Sequence, residues 1–218
     1  MIANPRIRVV VGAVVDAAVA LSIPVPLERF HERGHTARMV RLLGDKLALA
    51  CTRDPIVSLL DELSAEIGAA AFGDVELVRQ LEPCVRVNPP RCPALAVPFH
   101  TDAWAGNPRQ QRAIWIPLVD IQADEGLWIA DDDAGRCFAS GVDGQTARLH
   151  AVHDQVRAAS QPVRMSVGEA IVFDADVAHG SVPHEVDRTR WSVDVRVAPA
   201  SAVRLTGWRA RALSPMAT

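Results

Sequence analysis

The chain has 218 residues, of which 49% are hydrophobic and 22% are charged, and its formal net charge is -3. A chain of this size and composition can bury a substantial core, and it fits one domain better than two very small ones. The 23 basic residues are outnumbered by 26 acidic ones, so the sequence lacks the basic excess that binding to a phosphate backbone requires. We therefore expect a small-molecule partner and no nucleic acid.

The cysteines and the apolar N-terminal run indicate the cellular compartment in which the protein is expected. The four cysteines are far apart and form no CxxC pair, so they predict neither a disulfide framework nor a zinc knuckle. The apolar run after Arg8 has the layout of a secretory signal, but Asp16 interrupts it with a charge that opposes membrane insertion. No other stretch is long enough to span a membrane. We expect a cytoplasmic protein without membrane contact.

The first third of the chain, up to about residue 74, has a helical pattern. Apolar residues recur at helical spacing over residues 10–21, before prolines interrupt the pattern. A second helix is predicted to begin near Pro26, to be divided at Gly34 and to end at Gly44. The helices of this region are expected to pack against the outside of the core that follows.

The third predicted helix has the clearest signals. It begins at Pro55, after the cap candidates Thr52 and Asp54, and its apolar residues follow an i, i+3, i+4 pattern. Gly68 or Gly73 is expected to close it, because glycine is common just beyond the end of a helix. The sequence therefore predicts three helices before the pattern changes to that of short strands.

From Val75 onward, short apolar runs alternate with proline, glycine and aspartate, which is typical of a β-sandwich or barrel. The predicted strands are Val75–Leu81, Cys84–Val87, Leu95–Phe99, Arg112–Leu118, Gly126–Ala130, Val163–Ser166, Ala170–Phe173 and Arg190–Val197. Eight short strands favour a mainly β fold with a jelly-roll core, that is, a cupin-like double-stranded β-helix. We predict one domain with a helical part at 1–74, a β core at 75–200 and a tail at 201–218.

The tripeptide His100-Thr101-Asp102 carries the first candidate chemistry. His100 and Asp102 are two residues apart, so both side chains can point the same way from the end of a strand. An imidazole and a carboxylate are two of the three ligands of a 2-His-1-carboxylate site, which leaves open positions on Fe(II). Chance alone supplies about one His-x-acid pair in a chain of this composition, so the motif needs a partner.

The stretch from Ser166 to Arg196 supplies that partner. His179 follows a predicted buried strand, and Arg190 comes after ten intervening residues, with Ser192 two further on. Strand alternation puts the polar residues at 190, 192, 194 and 196 on one face and apolar residues on the other. Such a face either lines a cavity or is solvated on an open sheet, and the sequence leaves both readings open.

These motifs together resemble the Fe(II)/2-oxoglutarate-dependent oxygenases. The resemblance rests on HTD, on GEAIVF leading to His179, and on His-x10-Arg-x-Ser. Within that superfamily the sequence is most similar to the phytanoyl-CoA dioxygenase-like branch, and the small antibiotic-biosynthesis members of streptomycin type share its HTDAW…IWIPLVD pattern and its size. The similarity covers about residues 84 to 197.

The resemblance implies the roles of several residues. His100, Asp102 and His179 would be the iron ligands, Arg190 with Ser192 would hold 2-oxoglutarate, and O2 would be the oxidant. A guanidinium fork suits a carboxylate, and such a charge-assisted pair contributes about 1.5–3 kcal/mol. Hydroxylation of a small polar metabolite in bacterial specialised or sugar and amino-acid-derivative biosynthesis is the implied reaction, with succinate as the co-product. Desaturation, epoxidation and ring closure stay open, because no motif encodes how the substrate is placed.

Other residues near the motifs are weaker candidates. Each has a structural alternative, such as core packing for the tryptophans and a solvated surface for the charged residues. Candidates for cofactor contact are Trp115 and Arg86. Candidates for substrate contact are Trp104, Asp131 with its neighbours Asp132 and Asp133, His184, Asp194 and Arg196. The pair His150 and His153 could suggest a second metal, but no third ligand lies near them in the sequence.

Two other classes of function stay open at this point. A cupin-type metal enzyme, a dioxygenase or an isomerase, could use the three ligands without 2-oxoglutarate, and Arg190 with Ser192 counts against it. A catalytically silent β-sandwich binding module would make the three ligands incidental, and the presence of all three counts against it. Neither the substrate nor the oligomeric state can be read from the motifs.

Overall fold

The computed structural model describes residues 1–122, 125–131, 154–203 and 209–213. Its helices are α1 (Pro5–Ala20), the 3-10 helix Leu27–Arg33, α2 (Ala37–Ala50), α3 (Ile56–Phe72), the 3-10 helix Pro93–Leu95 and the short α4 (Ala200–Val203), and residues 154–158 are helical as well. Within these ranges no helix is long and apolar enough to cross a membrane. The predicted helical character of the first third of the chain is confirmed.

Local chemistry fixes most helix boundaries. The side chain of Asn4 accepts a hydrogen bond of 2.9 Å from Arg6 N and so caps α1, and Thr36 caps α2 in the same way. Gly34, in the left-handed region at φ 62°, separates the 3-10 helix Leu27–Arg33 from α2, as the sequence predicted. Gly73, with φ 73°, follows the end of α3.

Two predicted helix boundaries are wrong. Gly44 does not end α2 but lies inside it, where a Cβ atom would be only 3.5 Å from Val85 O, because the helix packs against a strand at this point. The cap of α3 is Pro55 without a side-chain hydrogen bond, and the Asp54 carboxylate instead accepts from Ser58 Oγ. In both cases a residue type that is common at helix ends makes a different contact in the structure, and the sequence pattern does not reveal that contact.

The strands form two antiparallel sheets. They are β1 (Ile2–Ala3), β2 (Leu77–Gln80), β3 (Cys84–Asn88), β4 (Arg112–Pro117), β5 (Leu127–Ala130), β6 (Ser160–Pro162), β7 (Glu169–Asp174), β8 (His179–Ser181), β9 (Arg190–Pro199) and β10 (Ala210–Ala212). The larger sheet has the order β1-β7-β4-β9-β2-β10, with β3 paired to β9 beside β2, and the smaller sheet has the order β6-β5-β8. The fold is therefore mainly antiparallel β with helices, as predicted.

Some predicted strands are absent and some observed ones were not predicted. The segments Leu95–Phe99 and Val163–Ser166 are not strands, although Val97 exchanges backbone and side-chain hydrogen bonds with Ser181. The strands missed by the sequence are β1, β6, β8 and β10, which have only two or three residues each and so cannot show alternation. Strand β10 lies in the segment that we expected to be a tail.

The helices cover one face of the larger sheet, and the apolar face of β9 forms the centre of that interface. Trp191, Val193, Val195 and Val197 are all completely buried on this side. The indole nitrogen of Trp191 donates to Leu27 O at 3.0 Å, which joins the 3-10 helix to the start of β9. The other face of β9 therefore points away from the helices and toward the smaller sheet, because side chains alternate along a strand.

Candidate metal centre and adjoining cavity

The three predicted ligands lie together at one place between the sheets. His100 and His179 face each other across an isolated β-bridge, with two backbone hydrogen bonds of 2.9 Å. Candidate ligand atoms of His100, Asp102 and His179 all lie within 4.8 Å of one another. Residues that are almost eighty positions apart in the sequence thus form a cluster that could hold one metal ion.

Backbone carbonyl groups orient both imidazole rings. His100 Nδ1 lies 2.9 Å from Pro98 O, and His179 Nδ1 lies 3.0 Å from Val177 O. A neutral ring that donates from Nδ1 keeps an unprotonated Nε2, which is the form that binds a metal. Burial, and after it the charge of His100, lower the pKa of His179 to about 4, so this ring is neutral at neutral pH.

The carboxylate of Asp102 is buried and held by two side chains. Arg196 donates from Nη2 to Oδ1 and from Nε to Oδ2, both at 2.9 Å, and Gln111 Nε2 donates to Oδ2 at 2.7 Å. Burial alone would oppose ionisation, but the hydrogen bonds and charge of Arg196 outweigh it and hold the pKa of Asp102 below its usual range. Asp102 is therefore an anionic ligand candidate at neutral pH.

Gly180 is the reason that the two histidines can approach so closely. A Cβ atom at Gly180 would lie 2.9 Å from both N and Cα of Phe99, a distance at which the backbone must move. We expect Gly180→Ala to push β8 away from His100, to cost about 1–3 kcal/mol of stability and to weaken Co(II) binding by about 10- to 100-fold. Equilibrium dialysis with Co(II) and a thermal melt measure both effects.

Gly12 offers the matched control, because a Cβ atom there would meet nothing within 4 Å and the residue lies in the middle of α1. Gly12→Ala is expected to leave Co(II) affinity unchanged and to raise stability by about 0.5–1 kcal/mol, since alanine favours the helix. Unchanged Co(II) affinity in Gly180→Ala would show that the close approach of β8 to residues 99–100 is not needed for the site.

A cavity adjoins the metal ligands and runs between the two sheets. The centre of a water-sized sphere can move within about 30 Å³ of it, and about 440 Å³ is free of protein atoms when the open solvent at its mouth is counted. Its walls include His100, His179, Phe173, Arg86, Trp115, Arg190, Asp194 and Arg196. The polar face of β9 is thus buried against a cavity, and the reading of this face as solvated on an open sheet is wrong.

Arg190 is buried in this cavity with few partners. One of its terminal nitrogens donates to Asn88 Oδ1, its guanidinium lies 5.7 Å from the centre of the Trp115 ring, and its Nε has no hydrogen-bond partner. The hydroxyl of Ser192, also buried, has no partner either. Burial, and after it the charge of Arg86, lower the pKa of Arg190 to about 10. Buried polar atoms without partners are rare and indicate a place for a polar ligand.

Two further charged residues share this face. Arg86 lies opposite Ser192 in the β3–β9 ladder, and its side chain has neither a hydrogen bond nor an ion pair within the part of the chain that the structure describes. Asp194 Oδ1 is 3.1 Å from Arg196 Nη1, an ion pair whose angles do not make a hydrogen bond. Burial raises the pKa of Asp194. Both lie where a small molecule in the cavity could contact them.

Three other predicted substrate residues do not line the cavity. Trp104 is 53% exposed and Asp131 is exposed. The buried ring of His184 lies 3.2 Å from Val186 O and 3.1 Å from Asn88 O, so it ties the loop after β8 to the end of β3. Four further candidates, Asp132, Asp133, His150 and His153, lie outside the described residues.

Two residues of the site were missed from the sequence. Asn88 contacts Arg190 and shares a face of β3 with Arg86, so alternation along β3 would have identified it. Gln111 contacts Asp102 from the residue before β4, and no pattern in the sequence indicates that contact. Arg196, predicted as a substrate residue, lies in the cavity wall and also forms an ion pair with Asp102, which the sequence did not indicate.

Several solved structures have a fold similar to that of this chain. ThoJ, a non-heme monooxygenase solved as a nickel complex, is 16% identical over 92% of this chain and 72% of its own, with a TM-score of 0.53. AviO1 from Streptomyces viridochromogenes Tue57 is 18% identical over 91% and 87%, with a TM-score of 0.51. EvdMO1 is 24% identical over 68% of this chain and 34% of its own, with a TM-score of 0.50.

Sequence comparison adds nothing to these structures, since no family model and no curated protein sequence matches the chain. The identities are low enough that the likeness concerns the fold alone. At that level the resemblance inferred from HTD and His-x10-Arg-x-Ser is confirmed, because a non-heme oxygenase has the same fold over most of this chain.

Proposed function

We propose that this chain, which has the fold of non-heme oxygenases, is an Fe(II)/2-oxoglutarate-dependent oxygenase built on a double-stranded β-helix. One observation carries the proposal: the cluster of His100, Asp102 and His179 opens into the same cavity as the buried, underpartnered Arg190. A metal site and a carboxylate site in one cavity are the two requirements of this cofactor chemistry.

The residues of the cluster fit Fe(II). Two imidazoles with their Nδ1 atoms directed at carbonyl oxygens offer Nε2 as ligands, and one ionised carboxylate adds a charge. This donor set suits a divalent first-row metal, and with three protein ligands it leaves open positions for a cosubstrate and O2. When bound, iron and 2-oxoglutarate supply the oxidising power, and the protein supplies binding, orientation and shelter from water.

Arg190 and Ser192 fit the distal carboxylate of 2-oxoglutarate. The guanidinium has an unpaired Nε, the hydroxyl is unpaired as well, and both are buried, so a carboxylate would satisfy atoms that the protein leaves without partners. Arg86, opposite Ser192, adds a second cation next to that place. Trp115, under the Arg190 guanidinium, limits how this side chain can move.

The substrate proposed for this site is a small polar metabolite, and the reaction is a hydroxylation or a related oxidation. The cavity supports this class because its walls combine apolar rings with charged groups, such as Trp115 beside Asp194. The proposed partners are this metabolite and the cosubstrate, without nucleic acid or membrane, and the proposed location is the cytoplasm. The net charge of -3 is compatible with all of these proposals.

Anaerobic reconstitution with Fe(II) and 2-oxoglutarate tests the proposal. We expect a visible metal-to-ligand charge-transfer band when both are added, and succinate once oxygen is admitted, because the chelate forms only if the iron and Arg190 sites lie together. Absorption spectra recorded with Fe(II) alone and with 2-oxoglutarate alone are the controls. Absence of both the band and succinate would contradict the proposal.

The same experiment separates the other two classes of function. A cupin-type metal enzyme that does not use 2-oxoglutarate would bind Fe(II) tightly and give no charge-transfer band. A binding module without catalysis would bind neither Fe(II) nor 2-oxoglutarate. Metal content measured by atomic emission after gel filtration, set beside the optical titration, distinguishes the three outcomes on one preparation.

A further inference from the structure

The hydrogen bonds on Asp102 are unusually complete for a residue that is a candidate metal ligand. Three N–H groups point at its two oxygens: Nη2 of Arg196 at Oδ1, and Nε of Arg196 together with Nε2 of Gln111 at Oδ2. Arg196 is 8% exposed and Asp102 is 1% exposed, so water contributes little to this arrangement. The guanidinium thus holds the carboxylate in a two-point fork.

A count of lone pairs shows what this fork leaves for a metal. An ionised carboxylate has about four lone-pair sites, two on each oxygen. The two donors on Oδ2 fill both of its sites, and the single donor on Oδ1 leaves one site on that atom. While these bonds persist, a metal can approach Asp102 only through Oδ1.

We infer that Arg196, assisted by Gln111, is a positioning residue that keeps Asp102 a one-oxygen ligand and thereby keeps three positions of the metal open. The inference rests on the proposed function, since it concerns the same metal site. With iron bound, two imidazoles and one carboxylate oxygen would supply three ligands and leave three of six positions open. A carboxylate that bound through both oxygens would take a fourth position.

The third open position matters because the cosubstrate needs two. A chelating 2-oxoglutarate and a diatomic gas together require three positions, which one-oxygen binding by Asp102 provides and two-oxygen binding does not. Arg196 is itself fixed by further contacts, to Gln80 Oε1 at 3.1 Å and to the ion-pair partner Asp194. These contacts keep the guanidinium plane aligned with Asp102, so the fork does not depend on Asp102 alone.

Arg196→Lys and Arg196→Gln test the inference in the full chain with Fe(II) and 2-oxoglutarate under anaerobic conditions, with nitric oxide as the probe. Lysine keeps the charge but cannot form the two-point fork, and glutamine removes both. In both variants we expect the charge-transfer band to persist while the affinity for nitric oxide falls by about 10- to 100-fold. The EPR signal of the iron–nitrosyl complex measures that affinity. Arg196→Lys keeps the positive charge, so a loss of affinity in that variant cannot be explained by a change in the charge of the site.

Arg211→Gln is the control variant. Arg211 also pairs with an aspartate, with its Nε 2.6 Å from Asp61 Oδ2, but it lies on β10 and does not line the cavity. It should bind nitric oxide like the wild type, and thermal melts of all variants report on folding. If Arg196→Gln fails to fold because it leaves buried carboxylates unpaired, Arg196→Lys decides the question.

Several outcomes would overturn the inference. Wild-type affinity for nitric oxide in Arg196→Lys would show that the fork does not control the open position. Loss of iron from a folded Arg196→Lys would show that Arg196 sets the affinity for the metal instead. A wild type that forms no complex with Fe(II) and 2-oxoglutarate would instead refute the proposed function, and that failure is separate from the first two.

Discussion

His179→Ala is expected to abolish both iron binding and turnover. The variant removes one of three ligands from a site whose atoms lie within 4.8 Å of one another, and neither Phe173 nor Gly180, which line the cavity beside it, offers a replacement ligand. The loss of affinity should far exceed the about 10- to 100-fold that follows when an outer partner of a ligand is removed. Titration with Fe(II) or Co(II) and assay of succinate measure the two effects.

His184→Ala is the matched control for this experiment. Its ring is also buried, at 3% exposure, and it contacts only backbone carbonyl oxygens of Val186 and Asn88. We expect this variant to lose stability but to bind the metal with wild-type affinity wherever it is folded. Undiminished metal binding in His179→Ala would remove this residue from the ligand set, and loss of metal in a folded His184→Ala would place it in the site.

Arg190→Ala is expected to weaken 2-oxoglutarate binding while iron binding is retained. The charge-assisted hydrogen bonds that a guanidinium forms with a carboxylate contribute about 1.5–3 kcal/mol, which corresponds to an increase of about 10- to 150-fold in Kd. Arg190→Lys should give an intermediate value, because it keeps a charge but not the fork. Titration of the charge-transfer band of the Fe(II) complex provides the Kd for each variant.

The stability of the metal-free protein provides a second readout for Arg190. This cation is buried, its pKa is lowered to about 10 chiefly by burial, and within the part of the chain that the structure describes its side chain donates a hydrogen bond to Asn88 alone. Replacing a buried, poorly compensated charge with an apolar side chain of similar volume is often neutral or stabilising. We therefore expect Arg190→Met to melt no lower than the wild type when no metal or cosubstrate is present.

A lower melting temperature for Arg190→Met would mean that Arg190 stabilises the metal-free fold. That result would contradict the assignment of Arg190 as a residue that is retained for ligand binding. Arg79→Met is the contrasting control, because Arg79 is completely buried but donates to Asp61 at 2.6 Å and to backbone oxygens of residues 57, 80 and 81. Replacing Arg79 takes away one of the two arginine partners of Asp61 and leaves those buried backbone oxygens without this donor, so this variant should melt well below the wild type. Loss of iron in Arg190→Ala would mean that its role is misassigned.

Periodicity predicted the larger elements because they bury one face against the core. Helix α3 and strand β9 both carry apolar residues at the spacing of their own secondary structure, and both were found within a few residues of the predicted bounds. Strand β8 has only three residues, and its existence depends on antiparallel pairing with β5, about fifty residues earlier, which no local pattern encodes. Gly44 likewise lies inside α2 because of β3, a strand forty residues away.

By itself, the sequence determined which types of residue form the candidate site and the order in which they occur along the chain. His100, Asp102, His179 and Arg190 could be identified because short spacings place side chains on one face of a strand, and the resemblance joined the two motifs. Only the tertiary structure decided that the polar face of β9 lines a cavity and that Arg196 forms an ion pair with Asp102. The physical reason is that burial and hydrogen-bond partners depend on which distant segments pack together, and alternation along one strand specifies a face but not what covers it.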